Sequence, residues 1–295
     1  MIALVILLSG CATSQKSHTY TISQDDVSTI SIDSPTTFSV SRVVVLANGV
    51  AEIMNSLNAK SIIVGRDISS TEKALENVPL ATSGHQVLPE EVIALKPDLV
   101  IIDASTGPKA AIEQIKSAGI RVVQTPESWT LGDISLKVAA VAAAIGAPEQ
   151  GKLLNAAMNA AIKSKTLPTK PRIAFLYLRG TSSIYLVGGP GSGADSLISA
   201  IGAVDVGAAS LPRPFNTMTA ESLASLNPDV IIVMTKGLES VGGLSGLVKL
   251  PGVAQTQAGK NHAIIDVDDS LLLSFGPRTP SLVVALAKQV SAAGK

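Results

Sequence analysis

An internal repeat restricts the folds open to this chain. Residues 90–102 read EEVIALKPDLVII, and residues 221–233 read ESLASLNPDVIIV. Each copy has the pattern of a short amphipathic helix, a Pro-Asp turn and an apolar strand, with Asp98 in the position of Asp229. The repeat predicts two lobes built on one plan.

Apolar strands and helices alternate on either side of the repeated unit. The segments RVVVLANGVAEIMNSLNA (42–59) and SIIVGR (61–66) precede the first copy, and RIAFLYLRG (172–180) and IYLVGG (184–189) precede the second. Uniformly apolar strands are typical of sheets that are covered on both faces and largely parallel. The predicted fold class is therefore α/β, with ligands bound beyond the carboxyl ends of the strands.

One long helix is predicted between the lobes. The segment PEQGKLLNAAMNAAIKSK starts with proline and spaces its apolar residues for a helix. We place the first lobe at 41–147, the linking helix at 148–166 and the second lobe at 167–295. A single connecting helix restricts hinge motion, so we expect only a small closure.

Composition excludes several classes of function. Of 295 residues, 46% are hydrophobic, and 23 basic side chains balance 23 acidic ones, so no global field would gather nucleic acid. The single cysteine, Cys11, excludes an intrachain disulfide and a cysteine-based zinc site.

The surroundings of Cys11 indicate an N-terminal leader. An apolar run too short to span a bilayer is followed by LSGC (8–11), which resembles the lipobox of bacterial lipoprotein signal peptides. This resemblance implies that residues 1–10 are a signal peptide and that Cys11 is lipidated. Residues 11–40 are rich in serine and threonine and are predicted to be a flexible tether, with the folded part beginning near Arg42.

Tyr177 and Arg179 lie two residues apart at the end of a predicted strand, so their side chains point the same way. A guanidinium beside a phenol oxygen favours the phenolate form, which is a ligand for ferric iron. The alternative is an arginine stacked on a tyrosine ring for structural reasons alone.

His85 is the histidine best placed for binding. It follows Gly84 in the loop before the repeated helix, hence at the mouth of the first lobe. Of the other two histidines, His18 falls in the predicted tether and His262 in a polar turn.

A series of motifs runs in order through the second half of the chain: FLYLRG, LVGGPGSGAD, MTAESLASLNPDVIIVMTKGLESVGG, LPGVAQT and DDSLLLSFGPRTP. This series closely resembles the haem-binding substrate-binding lipoproteins of bacterial ABC importers, and the resemblance extends from about Arg42 to the C-terminus. It implies that ferric haem is held between the lobes by His85 and Tyr177 as axial ligands, with Arg179 supporting the tyrosine.

The same resemblance implies docking to a membrane permease through one acidic residue on each lobe. Glu52 matches the first-lobe position. The second-lobe position is Ser199 here, and Asp195, one turn earlier, is the substitute. Arg278, in FGPRTP, is a candidate contact for a haem propionate.

The predicted function is therefore capture of ferric haem and its delivery to an ABC permease and its ATPase, by a monomeric, lipid-anchored, extracytoplasmic protein that is not an enzyme. One alternative is a siderophore or corrinoid binder of the same transporter class. Another is a two-lobed α/β enzyme, although the sequence lacks a nucleophile elbow and an evident carboxylate pair, and GGPGSGAD lacks phosphate-loop spacing. A lipid-anchored structural or adhesion protein is a third.

Overall fold

The computed structural model describes residues 20–34, 36–162, 166–180 and 185–294. The strands are β1 (Tyr20–Ile22), β2 (Val43–Val45), β3 (Ile63–Arg66), β4 (Thr82–Ser83), β5 (Gln86–Val87), β6 (Leu99–Ile102), β7 (Arg121–Gln124), β8 (Arg172–Leu178), β9 (Tyr185–Gly188), β10 (Val204–Asp205), β11 (Phe215–Thr217), β12 (Val230–Met234) and β13 (Ile264–Val267). The helices are α1 (Val50–Ser56), α2 (Pro89–Ala94), α3 (Lys109–Ser117), α4 (Ile134–Ala144), α5 (Pro148–Ala161), α6 (Ala194–Ala200), α7 (Val206–Ser210), α8 (Ala220–Leu226), α9 (Thr235–Ser240), α10 (Gly243–Leu247), α11 (Gln257–Asn261), α12 (Asp269–Leu272) and α13 (Thr279–Ala293).

Each lobe contains its own sheet. The first-lobe sheet has the strand order β3-β2-β6-β7 and is parallel throughout. The second-lobe sheet has the order β1-β13-β12-β8-β9-β11, with β10 also paired to β8. The pairs among β1, β13, β12 and β8 are parallel, whereas β9 runs antiparallel to both neighbours. The predicted α/β class with largely parallel sheets is confirmed.

The repeat is reproduced in the hydrogen bonds of the two lobes. The carboxylate of Asp98 accepts from the backbone N–H of Arg42, and that of Asp229 accepts from the backbone N–H of Arg172. In addition, the guanidinium of Arg42 donates to a carbonyl at the C-terminal end of α2, and the guanidinium of Arg172 donates to a carbonyl at the C-terminal end of α8. The repeated aspartates therefore fix the start of the neighbouring strand in both lobes.

The predicted tether must be shortened at its C-terminal end. Tyr20–Ile22 form an edge strand that pairs in parallel with β13, and Ile22 is fully buried. Further along, the N–H of Ile30 donates to the carbonyl of Pro277, and that of Ile32 to the carbonyl of Ser56. Residues 20–34 therefore belong to the folded protein, because their backbone groups and apolar side chains are used by both lobes.

The linking helix is shorter than predicted, since α5 ends at Ala161, and residues 163–165 lie outside the described residues. Its buried face, which includes Leu154 and Met158, joins a hydrophobic core that is continuous across both lobes. At Gly49, where φ is +74°, the lobes approach so closely that a Cβ atom would collide with the carbonyl oxygen of Ser274. Restricted hinge motion stays a prediction. Within the described residues, no helix is both long and apolar enough to cross a membrane.

Candidate functional site

Tyr177 lies near the carboxyl end of β8, a strand inside the second-lobe sheet. Phe175, two residues earlier and on the same face, is fully buried in the core, while Tyr177 is only partly buried. The ring of Phe215 packs edge-on against Tyr177, with ring centroids 5.6 Å apart. The phenol is therefore held by aromatic packing where the sheet face changes from core to surface.

Arg179 directs its guanidinium at the phenol oxygen. Its Nε donates to the hydroxyl of Tyr177 at 2.7 Å, and Nη2 contacts the same oxygen. The guanidinium carbon lies 5.0 Å from the centroid of the tyrosine ring, so this arginine bonds the ring's oxygen rather than only covering its face. Two guanidinium nitrogens are thus directed at one phenol oxygen.

His85 occupies the tip of a hairpin. Strands β4 and β5 pair antiparallel, with Ser83 opposite Gln86, which leaves Gly84 and His85 as a two-residue turn. Gly84 adopts φ +57°, a conformation that favours glycine at the first position of such turns. The hairpin holds the imidazole in an exposed position at the edge of the first lobe.

His85, Tyr177 and Arg179 line one interlobe cleft of about 400 Å³, a volume within the range of roughly 300–1,000 Å³ typical of small-molecule sites. The remaining lining residues are Asn48, Ile68, Ser69, Leu178, Gly180, Met234, Lys236, Gly237, Ser240, Asp269 and Leu273. The cleft thus lies at the carboxyl ends of strands from both lobes, as expected for an α/β fold.

A larger groove, of about 930 Å³, lies at the opposite, amino-terminal ends of the second-lobe strands. It is lined by Lys170, Lys260 and His262 among others. It contains neither Tyr177 nor His85, so it is not the site that the sequence pattern predicts.

The structure contradicts the predicted surface roles of Glu52 and Arg278. Both side chains are almost fully buried, and Nη2 of Arg278 donates to Oε2 of Glu52 at 2.9 Å and to Oε1 of Glu72 at 3.1 Å. The backbone N–H of Arg278 donates to the other oxygen of Glu52 at 2.6 Å. The Glu52 carboxylate is therefore not available at the surface to contact a permease. Arg278 is not among the residues that line the cleft, because its guanidinium is buried with Glu52 between the lobes.

Asp195, the substitute docking acid, is partly buried and serves its own loop. Its two carboxylate oxygens accept from the backbone N–H groups of Gly191 and Gly193, at 2.8 and 3.0 Å. This use fixes the turn before α6. Cys11 and the predicted signal peptide lie outside the described residues.

The sequence analysis did not single out two pairs of polar residues, one pair in the cleft and one pair on the two repeated helices. Lys236 and Asp269 line the cleft but are distant in sequence, and Lys236 gives only the weak signal of a cation two residues beyond an apolar strand. Glu90 and Glu221 are exposed acids in the first turns of α2 and α8. The internal repeat aligns these two glutamates, so it could have shown that they are an equivalent pair of acids, one on each lobe.

Lys137 is a third polar group at the junction of the lobes. Its Nζ donates to the carbonyls of Asn48 and Ser274, at 3.2 and 2.6 Å, and so joins one lobe to the other. Burial lowers the pKa of this lysine to about 8, against the opposing influence of Glu52 and other nearby carboxylates.

The chain belongs to the periplasmic binding protein family, since the sequence model of that family matches residues 43–271. It is an ABC transporter substrate-binding protein, a class that binds and delivers ligands outside the cytoplasm and is not enzymatic. One curated relative is the uncharacterized ABC transporter substrate-binding lipoprotein YvrC of Bacillus subtilis (strain 168), 26% identical over 98% of this chain and 95% of YvrC.

Two solved relatives share both fold and sequence. The periplasmic haem-binding protein RhuT from Roseiflexus sp. RS-1, in apo form, is 33% identical with a TM-score of 0.81, covering 86% of this chain and 99% of RhuT. The haem-binding protein HmuT is 31% identical with a TM-score of 0.81, covering 93% of this chain and 98% of HmuT. Three further HmuT structures each carry one alanine replacement, of a histidine, of a tyrosine and of an arginine two positions beyond that tyrosine.

Proposed function

We propose that this protein binds ferric haem in the interlobe cleft and delivers it to an ABC permease. The observation that carries the proposal is the cleft itself, in which an arginine-supported tyrosine from the second lobe and a hairpin histidine from the first line one cavity. Phenolate and imidazole are both axial ligands of haem iron in proteins. Tyr177 and His85 are the ligands we assign, and Arg179 stabilises the anionic form of Tyr177.

The haem-binding relatives support the choice of cargo. The tyrosine and arginine replaced in HmuT have the same spacing as Tyr177 and Arg179. A siderophore or a corrinoid brings its own metal ligands and gives no reason for a phenol under two guanidinium donors. The lining of the cleft therefore favours haem over the other cargoes of this transporter class.

Delivery requires a surface that docks on the permease. We assign Glu90 and Glu221 as the acidic residues of this surface, in place of Glu52 and Asp195. Both are exposed, and they occupy equivalent positions in the two repeats. Helices α2 and α8 each connect through a short turn to the strand that follows, so the helix runs back along that strand. The first turn of each helix consequently lies near the carboxyl edge of its sheet, where the cleft opens. Lipidation of Cys11 would keep the protein near its permease.

The proposal is tested by titrating the protein with ferric haem and following the visible absorption spectrum. Tyr177→Phe and His85→Ala are each expected to weaken binding about tenfold or more and to change the spectrum, because each removes an iron ligand. The matched controls are Tyr185→Phe, whose hydroxyl donates to the carbonyl of Pro251 in the second lobe, and His262→Ala in the opposite groove. Both should leave the spectrum unchanged.

Substitutions of Arg179 test whether this residue supports the tyrosine ligand. Arg179→Ala should weaken haem binding less than Tyr177→Phe, and Arg179→Lys should restore part of the loss, because one cation still faces the phenol oxygen. If the unsubstituted protein binds a ferric siderophore or cobalamin but no haem, or if the haem spectrum is indifferent to Tyr177→Phe, the haem assignment is wrong.

A further inference from the structure

The described lining of the cleft contains one arginine, Arg179, one lysine, Lys236, and one carboxylate, Asp269. Arg179 is directed at the oxygen of Tyr177. Lys236 is exposed. Among the described residues, no carboxylate forms an ion pair with this ammonium group.

The fold holds Lys236 close to the assigned iron ligand. Strands β12 and β8 are parallel neighbours, and Val233 pairs with Leu176, so Met234 lies level with Tyr177. Neighbouring strands are about 4.8 Å apart. Lys236 follows two residues later, at the start of α9, on the same wall of the cleft as the tyrosine.

Asp269 fixes the backbone of this lysine. One of its carboxylate oxygens accepts from the backbone N–H of Lys236 at 2.9 Å, which ties the start of α9 to α12. The same carboxylate places negative charge beside the cleft, and an anionic ligand would be repelled there without a nearby cation. The two residues therefore act together, since Asp269 positions the chain and Lys236 supplies the positive charge.

We propose that Lys236 binds a carboxylate of the cargo, which for haem is a propionate; this rests on the proposed function. A macrocycle held through its iron at Tyr177 carries its carboxylates at the rim, away from the metal. Among the described residues that line the cleft, Lys236 is the cation available to such a group, since Arg179 is directed at Tyr177 and Arg278 is buried with Glu52 and Glu72. The lysine thereby selects for cargo with acidic groups at its edge.

The test compares ferric haem with ferric haem dimethyl ester, in which both carboxylates are blocked. Lys236→Gln should weaken haem binding about tenfold, as expected for loss of a charge-assisted hydrogen bond, and Lys236→Glu should weaken it further. Lys236→Arg should retain most of the affinity. Binding of the ester should be the same in all four proteins. Lys260→Gln, in the opposite groove, is the matched control.

The outcomes separate this proposal from the proposed function. If the unsubstituted protein binds haem with a spectrum that depends on Tyr177, but Lys236→Gln binds equally well, the lysine does not contact the cargo and haem binding stands. Equal losses for haem and its ester would mean that the substitution disturbs the cleft, which also overturns the assignment. If the unsubstituted protein binds no haem, both proposals fail together.

Discussion

Arg278 and Glu52 form a buried ion pair between the two lobes, although 226 positions separate them in the sequence. Glu52 lies on α1 in the first lobe, and Arg278 precedes α13 in the second. Two hydrogen bonds join the residues, and Glu72 adds a second carboxylate beside the same guanidinium. A Cβ atom on Gly276 would lie only 2.9 Å from the Glu52 carboxylate, so the backbone packs directly on the pair.

Removing the cation should destabilise the protein strongly. Arg278→Met would leave the buried Glu52 carboxylate without its ion-pair partner, and we expect the free energy of unfolding to fall by about 3–5 kcal/mol. Chemical denaturation measures this change. Glu113→Gln, in an exposed ion pair with Lys116, should change stability by less than about 0.5 kcal/mol. A loss below about 1 kcal/mol for Arg278→Met would show that the pair contributes little to joining the lobes.

Stability should depend on pH through Glu72. Burial, with repulsion from Glu52, raises the pKa of Glu72 from 4.5 to about 7 in the folded protein. Between these values the folded state holds a proton that the unfolded state has lost, so this group stabilises the fold at low pH and loses that contribution as pH rises to about 7. The full effect is on the order of 3 kcal/mol.

Glu72→Gln isolates that contribution, because glutamine cannot titrate. Stability of the variant, measured by denaturation from pH 4.5 to 7.5, should fall less steeply than that of the unsubstituted protein. Asp205, whose pKa burial raises to about 6, has the same sign and remains in both proteins, so it cancels in the comparison. Parallel pH profiles for the two proteins would contradict the prediction. Lys137, with its pKa lowered to about 8, should add stability as pH rises above that value.

The sequence allowed the fold to be predicted where local pattern decides it. The repeated Pro-Asp turn predicted two lobes, and Asp98 and Asp229 make equivalent hydrogen bonds in the structure. Strand and loop positions placed Tyr177 at a strand end and His85 at the mouth of the first lobe, and the family resemblance implied that the two share one cleft, which both of them line in the structure. Whether they bind iron stays a prediction.

Contacts between residues far apart in the chain could not be predicted from the sequence. Glu52 lies among apolar residues on α1, which hints at burial, but its cation comes from the other end of the chain. β1 has only three residues, and its neighbour β13 lies about 245 positions later. A short strand in a polar segment carries too little periodicity to be distinguished from a tether.

The edge strand β1 should contribute measurably to the second lobe. Ile22 is fully buried, so Ile22→Ala should lower the free energy of unfolding by about 2–5 kcal/mol. Thr29→Ala, at an exposed position in the same segment, should have little effect. Amide exchange should quicken at β13, the strand that pairs with β1. If Ile22→Ala is neutral, the segment behaves as a tether after all.

Docking acids should affect delivery without affecting cargo binding. Glu90 and Glu221 are exposed in the first turns of equivalent helices and do not line the cleft, so Glu90→Lys and Glu221→Lys should leave haem affinity unchanged. Each reversal replaces attraction to a basic permease surface with repulsion. We expect haem uptake and stimulation of the transporter's ATPase, measured in proteoliposomes, to fall about tenfold or more.

Glu149→Lys, at an exposed site on α5, is the matched charge reversal, and this variant should transport haem normally. Unimpaired uptake by both docking variants would assign the permease contact to another surface, because two like-charge reversals cannot be tolerated at a contact that depends on acids.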